Sequence, residues 1–344
     1  MSIALDLVLL VVALITLPVY VILLWTIVKF GRKSPFNGSF FSLFVSIGIF
    51  DISHQIVSWS LVRFVYLRWL WMDDLAMMHS PHLAQTAAIL WWFTTYAQKT
   101  GVLLTAFNRL SVIVFKHRWT KASRRVLLLS HWLIPFIPTV PQSLLGYHYC
   151  SLNYSNSHVL LLFWNSTHSP TYQFQLCLWW CLGIGFICAV CYGLAFSHMR
   201  QHRFTITSST RRSERKALTE LKLASVGCVQ SVLTTVCGVY CIKLASISSA
   251  TQLYPLRPFE NVIFDAYSWV NPYLLLLCSN PTRRHFMCVL CGEQITELES
   301  LSTSRIGKKS LASAANLAQA SQRYAPQLQV TSVFERQIEA VSCL

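Results

Sequence analysis

Acidic residues are scarce in this chain. Thirteen Asp and Glu stand against 28 Lys and Arg in 344 residues, a formal net charge of +15, and charged residues of both signs together make up only 12%. An ordinary soluble domain carries about twice that share. With 54% hydrophobic residues and a mean hydropathy of +0.46, the shortage of charge argues against disorder over most of the chain. It also argues against a soluble nucleic-acid binder, despite a pI near 9.5. Cysteine is absent before Cys150, although the chain holds 12, most of them in apolar runs. That placement does not suit an extracellular disulfide framework. Enzyme signatures are also missing: there is no HExxH, no GxSxG and no glycine-rich phosphate loop. The 11 histidines never pair at ligand spacing within one apolar stretch. The expectation is a protein that is not an enzyme and needs no metal or cofactor.

What the chain does contain is long apolar runs. Seven stretches approach the roughly 20 residues that cross a hydrocarbon core: Ile3–Val28, Gly38–Val65, Ala84–Phe115, Val126–Tyr149, Gln173–Ser197, Leu223–Ala245 and Phe259–Asn280. The fold class expected is an all-α membrane protein, a bundle of seven spans. Tyr66, Trp69, Trp71, Tyr147, Tyr149 and Tyr172 crowd the ends of the stretches, as interfacial belts do. Pro135, Pro138 and Pro141 predict a kinked outer half of the fourth.

The basic residues alternate with the spans. Loops 29–37, 116–125 and 199–222 and the segment after 280 hold three, five, seven and seven Lys or Arg, against only Arg68 and Arg257 in loops 66–83, 146–172 and 246–258. A ratio of 22 to 2 places the N-terminus outside and the C-terminal tail in the cytoplasm. The 22 basic residues share the cytoplasmic side with seven acidic ones, so that side carries the whole +15. The first stretch has its positive flank after it, at Lys29, Arg32 and Lys33, which reads as an uncleaved span rather than a signal peptide. Two glycosylation sequons, at Asn153 and Asn165, fall in the longest outside loop. Residues 1–291 form the membrane domain in this reading. Residues 292–344, rich in Ser, Ala and Gln, form a cytoplasmic tail. Cys288 and Cys291 follow the seventh span on a short amphipathic helix, where juxtamembrane cysteines suit S-palmitoylation.

Ionisable residues within spans are costly and mark function or packing. At 1.5 Å per residue, Asp51, Lys99 and Asp265 sit roughly 20–24 Å above the inner surface, at a common level. If they face one interior, Lys99 pairs with Asp51 or Asp265. A neutral packing plug, a ligand-sensing network and a proton relay remain open as readings of that trio. Cys177, Cys181, Cys188 and Cys191 form one stripe on the fifth span, read as small residues permitting close helix contact rather than as a metal site.

The seven spans, the outside N-terminus and the basic inner face resemble a G-protein-coupled receptor. Ala106-Phe107-Asn108-Arg109-Leu110 stands where rhodopsin-like receptors have an acidic-Arg-Tyr triad, and Asn271-Pro272-Tyr273-Leu274-Leu275 resembles their Asn-Pro-x-x-Tyr. Asn108, Leu110 and Leu275 depart from those patterns, the sixth span has neither Trp nor Pro, and no Cys precedes Cys150 to bridge the third span to the second outside loop. The departures are those of the nematode serpentine chemoreceptors, and the chain resembles their class V group within the Srg superfamily over roughly residues 1–290. The similar segments are Ser34-Pro35-Phe36-Asn37-Gly38-Ser39-Phe40-Phe41 leading to Phe50-Asp51-Ile52, Tyr96-Ala97-Gln98-Lys99-Thr100-Gly101-Val102, and Asn280-Pro281-Thr282-Arg283-Arg284. The resemblance implies a plasma-membrane or ciliary chemosensory receptor with two partners, a small-molecule or peptide ligand and a heterotrimeric G protein. Arg109 with Asn108 would meet the G protein, and Asn271 with Pro272 would shape the bend that moves on activation. Trp92, Tyr96, Lys99, Tyr240, Glu260 and Phe264 are the candidate ligand pocket in the outer half, aromatic lining with a few charges. Nucleic acid is not an expected partner; the lipid bilayer is. The rival readings are a ligand-gated channel, a small-molecule transporter and an intramembrane hydrolase. The expected orientation is directly testable: an epitope placed ahead of Met1 stains on intact cells, and staining that needs permeabilisation reverses the assignment.

Overall fold

The computed structural model describes residues 2–31, 36, 38–66, 82–115, 120–144, 146–154, 157–164, 170–205, 211–246 and 256–291. Seven long helical elements and one short terminal helix follow one another. They are α1 (Ser2–Lys29), α2 (Ser39–Val57), α3 (His82–Ile113), α4 in two pieces (Lys121–Leu133 and Phe136–Ser143), α5 (Pro170–Thr205), α6 (Arg211–Ala245), α7 (Arg257–Cys278) and α8 (Asn280–Cys291). The helix of α2 continues through a π-helical turn, Ser58–Arg63, and a last turn, Phe64–Tyr66. The described residues up to Phe286 form one compact unit, and the chain divides after Phe286, within α8.

Four helices are in themselves long and apolar enough to cross a membrane: Ala4–Lys29, Ser39–Arg63, Phe174–Gln201 and Glu220–Ala245. α3, α4 and α7 fall short for two reasons. α3 and α7 carry Gln98, Lys99, Asn108, Arg109, Glu260, Asp265 and Asn271, all buried inside the bundle. α4 is split at Ile134–Pro135 because proline has no N–H to donate and its ring crowds the preceding turn. The expected kink is thus a full break.

The outside loop departs further from expectation. The run read as a span to Tyr149 leaves the helix at Ser143, and Tyr147–Tyr154 pairs antiparallel with Ser157–Trp164 as β1 and β2. Asn153 lies on this hairpin opposite His158, while Asn165 lies outside the described residues. The alternation of Val159, Leu161 and Phe163 with Leu160 and Leu162 is apolar at every position, so it gave no period-2 signal.

Small residues set the helix spacing. A Cβ on Gly101 would lie 2.5 Å from Ile47 Cγ1 and 2.9 Å from His131 Nε2, where α2, α3 and α4 converge. His131 Nε2 donates to the Ala97 carbonyl at 2.9 Å, which leaves Nδ1 to accept from the Ser46 hydroxyl at 2.8 Å. The cysteine stripe of α5 is buried against α6, and a Cβ on Gly238 of α6 would come within 3.1 Å of Cys181 Cβ. Gly183, by contrast, has no neighbour within 4 Å of such a Cβ. Gly101→Ala is therefore expected to cost about 1–3 kcal/mol. It should lower the thermal unfolding midpoint of the purified receptor, while Gly183→Ala leaves it unchanged.

Candidate functional site

Asp51 is fully buried at the middle of α2. A buried carboxylate needs donors on both oxygens, and three other helices supply them. Tyr20 of α1 donates its hydroxyl to Oδ2 at 2.6 Å, and Asn271 of α7 donates Nδ2 to the same oxygen at 2.6 Å. Gln98 of α3 donates Nε2 to Oδ1 at 2.8 Å and also to Ser268 Oγ of α7 at 2.8 Å. Gln230 of α6 donates to Asn271 Oδ1. Five helices thus meet around one carboxylate, and Asn271, singled out from the Asn-Pro pair, is its link to α6.

Lys99 does not join that arrangement. Among the described residues it forms no ion pair with Asp51 or Asp265, contrary to expectation. Residues adjacent on a helix point about 100° apart, and Gln98 takes the direction toward Asp51. Lys99 is turned toward α6 and α7. Its Nζ lies 3.0 Å from the centroid of the Tyr267 ring, 5.6 Å from that of Phe264 and 3.6 Å from Cys237 Sγ. The aromatic face takes the place of an anion as its partner.

Asp265 is instead bound to Arg63, which sequence reasoning passed over. Arg63 Nη1 donates to Asp265 Oδ2 at 2.6 Å, with both side chains buried, and Gln55 Nε2 donates to Oδ1 at 3.0 Å. The guanidinium lies 4.4 Å over the Trp59 ring. Arg63 ends the π-helical turn, whose extra residue rotates the last positions of α2. A straight-helix count cannot foresee that direction. The available signal was the presence of an unassigned arginine inside an apolar stretch.

The candidate pocket residues are brought together in part. Trp92, Tyr96, Lys99 and Phe264 belong to or touch one buried aromatic and cysteine cluster. Trp92 stacks on Tyr96 with centroids 5.8 Å apart, and Trp91 meets Phe264 at 5.3 Å. Glu260 is buried near the start of α7. Tyr240 is half-buried and donates its hydroxyl to the Leu256 carbonyl at 2.8 Å. Trp91, Phe174 and Tyr267 also belong to this cluster and were not among the candidates.

At the inner end Arg109 Nη1 donates to Glu220 Oε2 of α6 at 2.5 Å, and its guanidinium lies 4.5 Å over Phe40. Asn108 beside it accepts from Ser39 Oγ at 2.8 Å. Glu220 was read only as one loop acid among several. α6 begins at Arg211, a dozen residues earlier than the apolar run, and that extension carries Glu220 on the helix opposite Arg109. Pro272 lies within α7 one residue after Asn271. On α8, Cys288 is buried and Cys291 exposed.

Comparison with known proteins places this geometry. No curated protein matches the chain. A crystal structure of squid rhodopsin superposes with a TM-score of 0.63 at 12% identity, covering 82% of this chain and 83% of that one. At that identity the likeness concerns the fold, an all-helical seven-transmembrane bundle. The family profile described as serpentine type 7TM GPCR chemoreceptor Srv matches residues 9–291. With its multi-pass membrane architecture, the chain belongs to the Srv family of serpentine seven-transmembrane chemoreceptors of the G-protein-coupled receptor type.

Proposed function

We propose that this receptor binds an extracellular small molecule or peptide in the outer half of the bundle and signals to a heterotrimeric G protein at the inner face. The observation that carries the reading is the Arg109–Glu220 bridge at 2.5 Å between α3 and α6. It ties the inner ends of α3 and α6 together and holds in an internal ion pair the arginine that the helix 3 motif assigns to the G protein. A side chain so held is unavailable to a partner. Release of the bridge frees Arg109 and lets the inner end of α6 move.

The outer pocket in this reading is built on Trp92, Tyr96, Lys99 and Phe264, with Tyr240 and Glu260 at its rim. Lys99 gives it a buried cation with no carboxylate partner among the described residues, beside the Tyr267 ring. A ligand transmits a signal only by binding one helix arrangement better than another. Asn271, bonded both to Asp51 of α2 and to Gln230 of α6, is where movement of α7 would be passed to α6, with Pro272 as the bend. We assign the receptor to the plasma membrane or sensory cilium, with glycans at Asn153 and Asn165 and an acyl chain on Cys291 or Cys288.

Two variants test the inner face. Glu220→Gln keeps the shape and removes the charge. An ion pair at a partly exposed site contributes about 1–2 kcal/mol, so basal signalling in cells carrying a second-messenger reporter should rise about five- to thirty-fold. Arg109→Ala should abolish evoked signalling while leaving surface expression intact. Evoked signalling that survives Arg109→Ala, or ligand-evoked current that survives G-protein blockade, would overturn the G-protein reading in favour of a channel.

A further inference from the structure

A second polar cluster lies outside the aromatic pocket, in the sector between α1, α2 and α7. Its members are Asp6 of α1, Gln55 and Arg63 of α2, and Asn261 and Asp265 of α7. Arg63 holds Asp265 at 2.6 Å and reaches the Asn261 carbonyl with Nη2 at 3.4 Å. Asn261 Nδ2 donates to Asp6 Oδ1 at 3.2 Å. An apolar cluster of Leu9, Ala13 and Trp59, with Trp269 packed against it, adjoins it through Trp59, over whose ring Arg63 lies at 4.4 Å. Asp6 is 1% exposed, Arg63 1% and Asp265 0%.

The cluster is incomplete in two respects. The first is charge: two carboxylates face one guanidinium, and an unbalanced charge in an apolar sector is costly. The second is hydrogen bonding. Asp6 Oδ2, Gln55 Oε1 and Arg63 Nε are buried with no hydrogen-bond partner among the described residues. Two of these three atoms are acceptors, and Asp6 Oδ2 belongs to a carboxylate with no guanidinium bonded to it. A compact cation with several N–H donors meets the charge deficit and suits the two unpartnered acceptors, while Arg63 Nε, a donor, is not served by it. Asp6 is in the second turn of α1, close to the end that the loop charges place outside. The cluster therefore lies toward the extracellular end of the bundle.

We propose that Asp6, with the Arg63–Asp265 pair beside it, forms a binding site for the ammonium group of a small primary amine. The ammonium donates to Asp6 Oδ2 and brings the cluster to two cations and two anions. It also competes with Arg63 for Asp265, so binding loosens the contact between the π-helical turn of α2 and α7. The site deepens the receptor reading by naming a ligand class. It rests on that reading only for its consequence in signalling, since occupancy is measurable without a G protein.

The test uses the full-length receptor in lipid nanodiscs, without G protein, titrated with isobutylamine, its neutral counterpart isobutanol and the anion isovalerate while thermal unfolding is followed. The expected result is stabilisation by isobutylamine alone. Asp6→Asn keeps the acceptor for Asn261 and removes the charge, and it should weaken the amine about 30-fold or more. Circular dichroism and the unliganded midpoint establish that the variant is folded. The comparison of the three probes on the unaltered receptor needs no variant at all. Equal stabilisation by isobutanol, preference for isovalerate, no response to the amine, or an amine response unchanged in Asp6→Asn would each overturn the proposal. Amine binding without evoked signalling in cells would count against the receptor reading and leave the site standing.

Discussion

The interaction on which the bundle depends is the solvation of one carboxylate. Asp51 sits where neither water nor lipid head groups reach, and hydrocarbon offers it nothing. The protein has to supply every hydrogen bond, and it does so from Tyr20, Gln98 and Asn271 on three other helices. That requirement fixes more than a local contact. Each donor has a defined side-chain reach, so the rotation of α1, α3 and α7 about their axes is set to within the tolerance of a hydrogen bond, a few tenths of an ångström. Once Asn271 faces Asp51, its carbonyl faces Gln230, and α6 is placed as well. Apolar packing alone would leave these rotations weakly specified, because one face of a leucine-rich helix packs nearly as well as another in lipid.

The other polar contacts follow from those rotations. With Gln98 committed to Asp51, Lys99 has to look toward α6 and α7, and its partner becomes the Tyr267 ring. With Asn271 committed, Asp265 lies six residues and about 9 Å up α7, level with the end of α2. There the π-helical turn delivers Arg63. Breaking that buried pair by removing one partner would cost roughly 3–5 kcal/mol. That cost is chiefly the penalty of the buried charge left behind, and a group that replaces the lost partner removes it.

Legibility in the sequence divides along the same line. Properties that depend on position along the helix axis were readable: the number of long helical elements and the place of Asp51 inside the second. Arg109 and Asn271 could be picked out because they sit in short contiguous motifs. Properties that depend on rotation about the axis were not readable. The pairing of Lys99 with an acid followed from equal depth alone, and equal depth is compatible with any azimuth. Arg63 escaped notice because a π-helical turn shifts the azimuth of everything after it, and Glu220 because helix α6 runs on past its apolar segment. The hairpin was hidden because the start of β1 continues the apolar run of the fourth span and β2 is apolar at successive positions, which gives no strand period.

Position and rotation combine in α7 and α6. Asp265, Ser268 and Asn271 follow at intervals of three along α7, and their partners lie on α2, α3 and α6 in turn. Gln230 is ten residues from Glu220 on α6, about 15 Å of continuous helix, and Glu220 ends at Arg109. The outer ion pair and the inner one are therefore joined by two helices and one amide pair, Asn271 with Gln230. Contiguity of this kind is not coupling in itself. Coupling requires that a rotation of α7 which relaxes the Arg63–Asp265 pair also reorients Asn271, six residues along the same helix. Asn271 has one side-chain amide for two partners, Nδ2 to Asp51 and Oδ1 to Gln230. It cannot follow a turn of α7 and keep both. Whichever bond it gives up, α6 loses either its own tether or the anchor behind that tether. Thr234 Oγ1 of α6 also bonds the Tyr267 hydroxyl of α7 at 3.3 Å, so this amide is one of the side-chain links through which the outer cluster reaches α6.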